Sequence, residues 1–175
     1  MLFLQGGIMM VLIGMMYQDF RFRGIYWWLF PLLLLLFVLD VWLRYSFARL
    51  AATAGSNIVF LIVQMFLLTG YVSLRKRKLT NIFKGYFGLG DLLFLLCIAF
   101  YFSCLNYIAF YLLSLMIVIV LTLIFSGRSR AEKEKIPLAG YQALLLILIM
   151  TVSFFIKSVD IHSDTVFFNL LPYGN

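Results

Sequence analysis

Six apolar stretches, separated by short polar loops, set the limit on what this chain can fold into. They run roughly Leu2–Tyr17, Ile25–Leu43, Ile58–Leu74, Asp91–Leu105, Ile108–Phe125 and Ile136–Ile156. A helix needs roughly 20 residues to cross a bilayer. Most of the stretches approach that length, and the first and fourth are shorter. In lipid every backbone N–H and C=O must find its partner within the protein, so each stretch is expected to be a helix. The expected fold is all-α, a polytopic membrane protein of about six transmembrane helices in one bundle. Of the 175 residues, 65% are hydrophobic and only 12% charged. A soluble domain of that composition would expose too much apolar surface. The length predicts a single transmembrane domain over residues 1–175.

The basic residues give the expected topology. Arg21 and Arg23 lie in the first loop, Arg75, Lys76, Arg77, Lys78 and Lys84 in the third, and Arg128, Arg130, Lys133 and Lys135 in the fifth. Only Arg44, Arg49 and Lys157 fall on the other side. The positive-inside rule puts loops one, three and five in the cytoplasm. The net charge of +7 is thus a topology signal. Nucleic acid is not an expected partner, because the cations are confined to short loops between spans. The first run has no basic leader and no small-residue cleavage site, so it reads as a retained span. Ala51–Asn57 reads as an outside connector, Pro137 as the first turn of the sixth helix, and Trp27 and Trp28 as an interfacial belt.

Two carboxylates fall on the predicted cytoplasmic face, although the topology was drawn from Lys and Arg alone. Asp19 follows the first run in Tyr17-Gln18-Asp19-Phe20-Arg21. Asp91 opens the fourth in Gly88-Leu89-Gly90-Asp91. An acid where a hydrophobic helix meets the interface is costly and is a functional candidate. Two acids held close together cannot easily both ionise, so they share a proton, as aspartic proteolysis requires. Gly88 and Gly90, around Leu89, would let an extended substrate backbone approach. The competing readings are an Asp N-cap for Asp91 and a loop acid paired with Arg21 or Arg23 for Asp19.

The order and spacing of these residues resemble the type IV prepilin peptidases and archaeal preflagellin peptidases, the GxGD membrane aspartyl proteases. In that family the first aspartate follows an early helix in a segment such as D-x-R-x-x-x-I-P-N, and the second lies in GxGD-x-K. The Lys135-Ile136-Pro137-Leu138-Ala139 stretch resembles the family's last block. The resemblance covers about residues 5–155. It implies a leader-cleaving aspartic endopeptidase of the inner membrane, with Asp19 and Asp91 as the catalytic pair. It further implies a pilin-like precursor as substrate, an active site at the cytoplasmic face, and no metal or cofactor. Two departures stand out. Tyr26-Trp27 follows Ile25 in place of Pro-Asn, and Leu93 occupies the lysine position. The cysteine-rich and methyltransferase region of many bacterial members has no counterpart here, so N-methylation is not expected. Presenilin-like proteases share the second motif but place their first aspartate in the helix just before it.

The other polar residues have plainer readings. Asp40 and Arg44 are spaced for an i,i+4 ion pair near the outer interface. Cys97 and Cys104 read as packing residues on one helical face, too few for a disulfide framework or a zinc site. His162, Asp160 and Asp164 read as tail residues, and Glu132–Lys135 as a solvated loop. Two alternatives to the peptidase are carried forward. One is a catalytically inactive, peptidase-like membrane assembly subunit. The other is a small transporter or channel component using Asp40 and Asp91. Membrane lipid is an expected partner in every case, and self-association is left open.

Overall fold

A computed structural model describes residues 2–77, 88–125, 137–155 and 161–164. Its regular elements there are all helices: α1 (Leu2–Phe22), α2 (Leu29–Arg44), α3 (Phe47–Lys76), α4 (Leu89–Ala99), α5 (Cys104–Phe125) and α6 (Leu138–Phe155). The expected all-helical bundle is what forms. Three segments, Phe47–Lys76, Cys104–Leu121 and Leu138–Phe155, are long and apolar enough to cross a membrane. With 11 residues, α4 is shorter than that. The loop residues Lys78, Lys84, Arg128, Arg130, Glu132, Lys133, Glu134 and Lys135, and the tail residues Lys157 and Asp160, lie outside the described residues.

The core is built along α1. Ile8, Leu12 and Met15 fall on one helical face and are fully buried. They join Leu33 and Phe37 of α2 and Ala143 and Leu146 of α6 in one cluster. Small residues on α6, Ala139 and Ala143, let its backbone approach closely, which is how helices pack where lipid removes the hydrophobic drive. Each fully buried Leu or Phe contributes about 1.5–3 kcal/mol in an aqueous reference, and less against lipid. The consequence for function is direct: α1 and α6 are fixed side by side.

Helix boundaries depart from expectation at two places. Ala51–Asn57 is not a connector but the second and third turns of α3. The real turn is Tyr45–Ser46, where the Ser46 hydroxyl caps α3 by accepting the Arg49 N–H. Alanine is a strong helix former, which the small-residue reading missed. Asn57 is instead fully buried. Its Nδ2 donates to Ala99 O and Phe102 O, both at 2.9 Å, and so satisfies carbonyls left open at the end of α4. Helix α4 ends at Ala99, well before Leu105. Cys97 and Cys104 therefore belong to different helices and share no face. The tail contributes too. Asp164, a part-exposed tail acid, accepts the Leu105 N–H at 3.1 Å near the start of α5 and so also serves as a helix partner.

Candidate active site

Helix α1 does not end before Asp19. The chain turns at Arg23, whose backbone is left-handed (φ 52°) and whose N–H donates to Asp19 O at 2.9 Å. Asp19 thus occupies the last turn of α1, and its side chain is buried rather than in a loop. Phe20 beside it meets Tyr141 of α6 edge to face, with ring centroids 5.0 Å apart. The carboxylate lies at the start of α6, where the Gly140 N–H donates to Asp19 Oδ2 at 2.6 Å.

Asp91 arrives from α4. Gly88 is the N-cap, in extended conformation, and the helix begins at Leu89. Asp91 is therefore the third helical residue, not the cap. Its carboxylate accepts the Gly88 N–H, the backward reach of a capping box. It also accepts the Ala139 N–H of α6. A Cβ at residue 88 would stand 2.6 Å from Asp91 Oδ2, so a larger residue there would push the carboxylate from this position. Of the expected substrate-approach loop Gly88–Gly90, only Gly88 is non-helical. Leu89 and Gly90 form the first turn of α4, because Leu92 N–H already bonds Gly88 O.

The two acids therefore share one anchor. Ala139 and Gly140 are consecutive residues in the first turn of α6. The N–H groups of that turn have no partner within the helix, and they point toward its positive end. One is given to Asp91 and the next to Asp19. Pro137 sits just ahead of α6, where its missing N–H costs nothing. Sequence reasoning named Ala139 only within the Lys135–Ala139 stretch, gave it no part in holding an acid, and missed Gly140. The available signal was Pro137 followed, after Leu138, by two small residues at the head of an apolar run.

Electrostatics couple the pair. Both acids stand at helix ends outside the three spanning segments. Burial raises the Asp19 carboxyl above the usual range, against the pull of the Gly140 N–H and the Arg23 charge. Burial and then the Asp19 charge push Asp91 up to about 6, against the two amides that hold it. Asp91 thus holds its proton into the mildly acidic range while facing the Asp19 charge. Among the described residues no group of three or more His, Cys, Asp or Glu side chains is placed to hold a metal ion.

The two departures lie close to the two acids in the chain. Leu93 is two residues past Asp91 and partly exposed. Tyr26 N–H donates to Gln18 Oε1 at 3.1 Å, which ties the α1–α2 turn beside Asp19, and Trp27 next to it is 75% exposed.

Asp40 belongs to the opposite end of the bundle. Arg44 Nε and Nη2 donate to its two oxygens at 3.0 Å each, the expected i,i+4 pair. His162 is no isolated tail residue. It is buried, with Nε2 3.9 Å from Asp40 Oδ2. Its Nδ1 donates to Tyr101 O at 2.8 Å, since a carbonyl can only accept. Sequence spacing could not bring residues 40, 101 and 162 together.

No protein-family model, curated protein or solved structure matches this chain.

Proposed function

We propose that this chain is an intramembrane-type aspartic endopeptidase that removes leader peptides from pilin-like precursors at the cytoplasmic face of the cell's inner membrane. The observation that carries the proposal is the shared anchor: consecutive α6 amides hold Asp91 and Asp19. Ion-pairing acids scattered for solubility have no reason to converge on one helix end. The order of the motifs, Asp19 then Gly88-Leu89-Gly90-Asp91 then Pro137, supports the same reading through its resemblance to the prepilin peptidases.

The chemistry follows from one proton on two acids. The ionised carboxylate takes a proton from water as the water attacks the scissile carbonyl. The protonated one donates to the carbonyl oxygen. The resulting diol collapses, the C–N bond breaks, and the departing nitrogen takes a proton from the pair. The starting protonation belongs to the pair rather than to either residue. The anchoring amides keep both acids oriented through the cycle without titrating themselves.

The test is processing of a co-expressed pilin-like precursor, read as a mass shift. Wild type cleaves it. Asp19→Asn and Asp91→Asn each abolish cleavage while remaining folded and inserted. Cleavage by Asp19→Asn at the wild-type rate overturns the proposal. A wild-type protein that cleaves no candidate precursor replaces it with the inactive assembly-subunit reading.

A further inference from the structure

A second site lies on the α1–α6 seam, toward the end of the bundle away from the two aspartates. Two cavities of about 270 and about 260 Å³ share Gln5, Met150 and Phe154 as walls, so they form one trough. From Gln5 to Asp19 along α1 is about 21 Å, which separates the trough from the acids. Joined, the cavities reach the roughly 300–1,000 Å³ of small-molecule sites.

The trough has two chemical halves. Its outer half is lined by Arg44, Tyr101 and His162. Its inner half extends one helical turn further along α1 and is lined by Gly6, Met9 and Thr151. The Thr151 hydroxyl is already given to Ile147 O at 2.7 Å, so that wall offers a ligand mainly methyl and methylene surface. At Gly6 a Cβ would meet nothing within 4 Å. The helix wall is open there, beside the space between the helices.

Charge names the occupant of the outer half. Arg44 spends two of its five N–H donors on Asp40. The bidentate pair fixes the guanidinium plane, and three donors remain. Asp40 is 1% exposed, whereas the Arg44 side chain is 25% exposed. The pair therefore presents its positive end outward. Arg49 adds a second cation at this end, donating to His162 O at 3.2 Å and lying 4.4 Å over the Tyr45 ring.

We propose that the trough holds one anionic phospholipid of the surrounding bilayer. Its phosphate meets Arg44, and an acyl chain lies along Gly6, Met9 and Met150. A soluble anion would use only the polar half, and a neutral lipid only the apolar half. An anionic lipid uses both.

The experiment uses the full chain, purified in detergent, stripped of lipid and examined by native mass spectrometry. Phosphatidylglycerol and phosphatidylcholine with identical acyl chains are the probes, and inorganic phosphate is the competitor. Phosphatidylglycerol is expected to bind about tenfold more tightly, a difference of roughly 1.4 kcal/mol. Gly6→Leu, whose side chain enters open space, should weaken it at least tenfold by filling the tail half. Arg44→Lys should keep the Asp40 pairing but lose most of the preference for the anionic lipid, since lysine lacks the planar fork. Equal binding of the two lipids overturns the proposal. So does Gly6→Leu binding at wild-type strength, or displacement of the lipid by phosphate at equal concentration.

Discussion

Gly140→Ala separates two physical effects that act with opposite sign. Alanine is a better helix former than glycine by up to about 1 kcal/mol, so propensity alone makes the variant more stable. The site says otherwise. A Cβ at residue 140 would stand 3.1 Å from Asp19 Oδ2, 3.2 Å from Asp19 Cβ and 3.4 Å from Phe20 Cε1. Oδ2 and Cε1 are side-chain ends that can swing, but Asp19 Cβ is fixed to the α1 backbone, so Asp19 must move by a few tenths of an ångström. The Gly140 N–H to Asp19 bond is charge-assisted, and such bonds contribute about 1.5–3 kcal/mol. Losing much of it outweighs the propensity gain, and a net destabilisation of about 1 kcal/mol is expected. Cleavage should fall further than stability, since small misplacements in a catalytic pair cost up to about a hundredfold in rate. Gly55→Ala in α3 is the control, because a Cβ there meets nothing within 4 Å. It should stabilise and leave cleavage unchanged. The assays are thermal melting in detergent and the precursor mass shift. A Gly140→Ala protein that melts higher, like Gly55→Ala, and cleaves normally would refute the claim that α6 positions Asp19.

Four further outcomes are expected. The Asp19→Asn, Asp91→Asn double variant should be no less active than either single one, because the two groups work as a unit; additive losses in precursor processing would contradict this. Stability should depend on pH in a definite direction. The folded Asp91 holds its proton up to about 6 against 3.8 unfolded, so its contribution favours folding at low pH and is lost as pH rises between those values. Wild type should therefore lose melting temperature from pH 4 to 6.5, and Asp91→Asn should lose less; a steeper fall in the variant contradicts the buried pair. Asp40→Asn should lower the melting temperature, since breaking a buried pair costs about 3–5 kcal/mol, yet the protein that remains folded should still cleave; lost cleavage in folded protein would link the two ends. Single cysteines at Arg77 and Phe47, both exposed, should label from the cytoplasmic and outer sides respectively, and reversed labelling would place Asp19 and Asp91 outside.

The material of the fold was legible in the order of residues alone. Apolar stretches of near-spanning length leave helices as the only backbone solution in lipid, and the six helices follow from that constraint. Asp40 with Arg44 was legible because both partners sit one helical turn apart. Asp19 and Asp91 stood out because an acid beside an apolar helix is expensive. The meetings between distant residues came from packing. Asn57 looked like a turn residue until its amide was found on the carbonyls of Ala99 and Phe102. His162 looked solitary until Tyr101 and Asp40 surrounded it. Gly140 showed in the sequence only as a small residue behind Pro137, and it lies 121 residues from the carboxylate it holds. Periodicity and propensity act within a few turns of chain. The pairing of one helix's open N–H groups with acids from two others depends on how the helices pack, which no local pattern encodes.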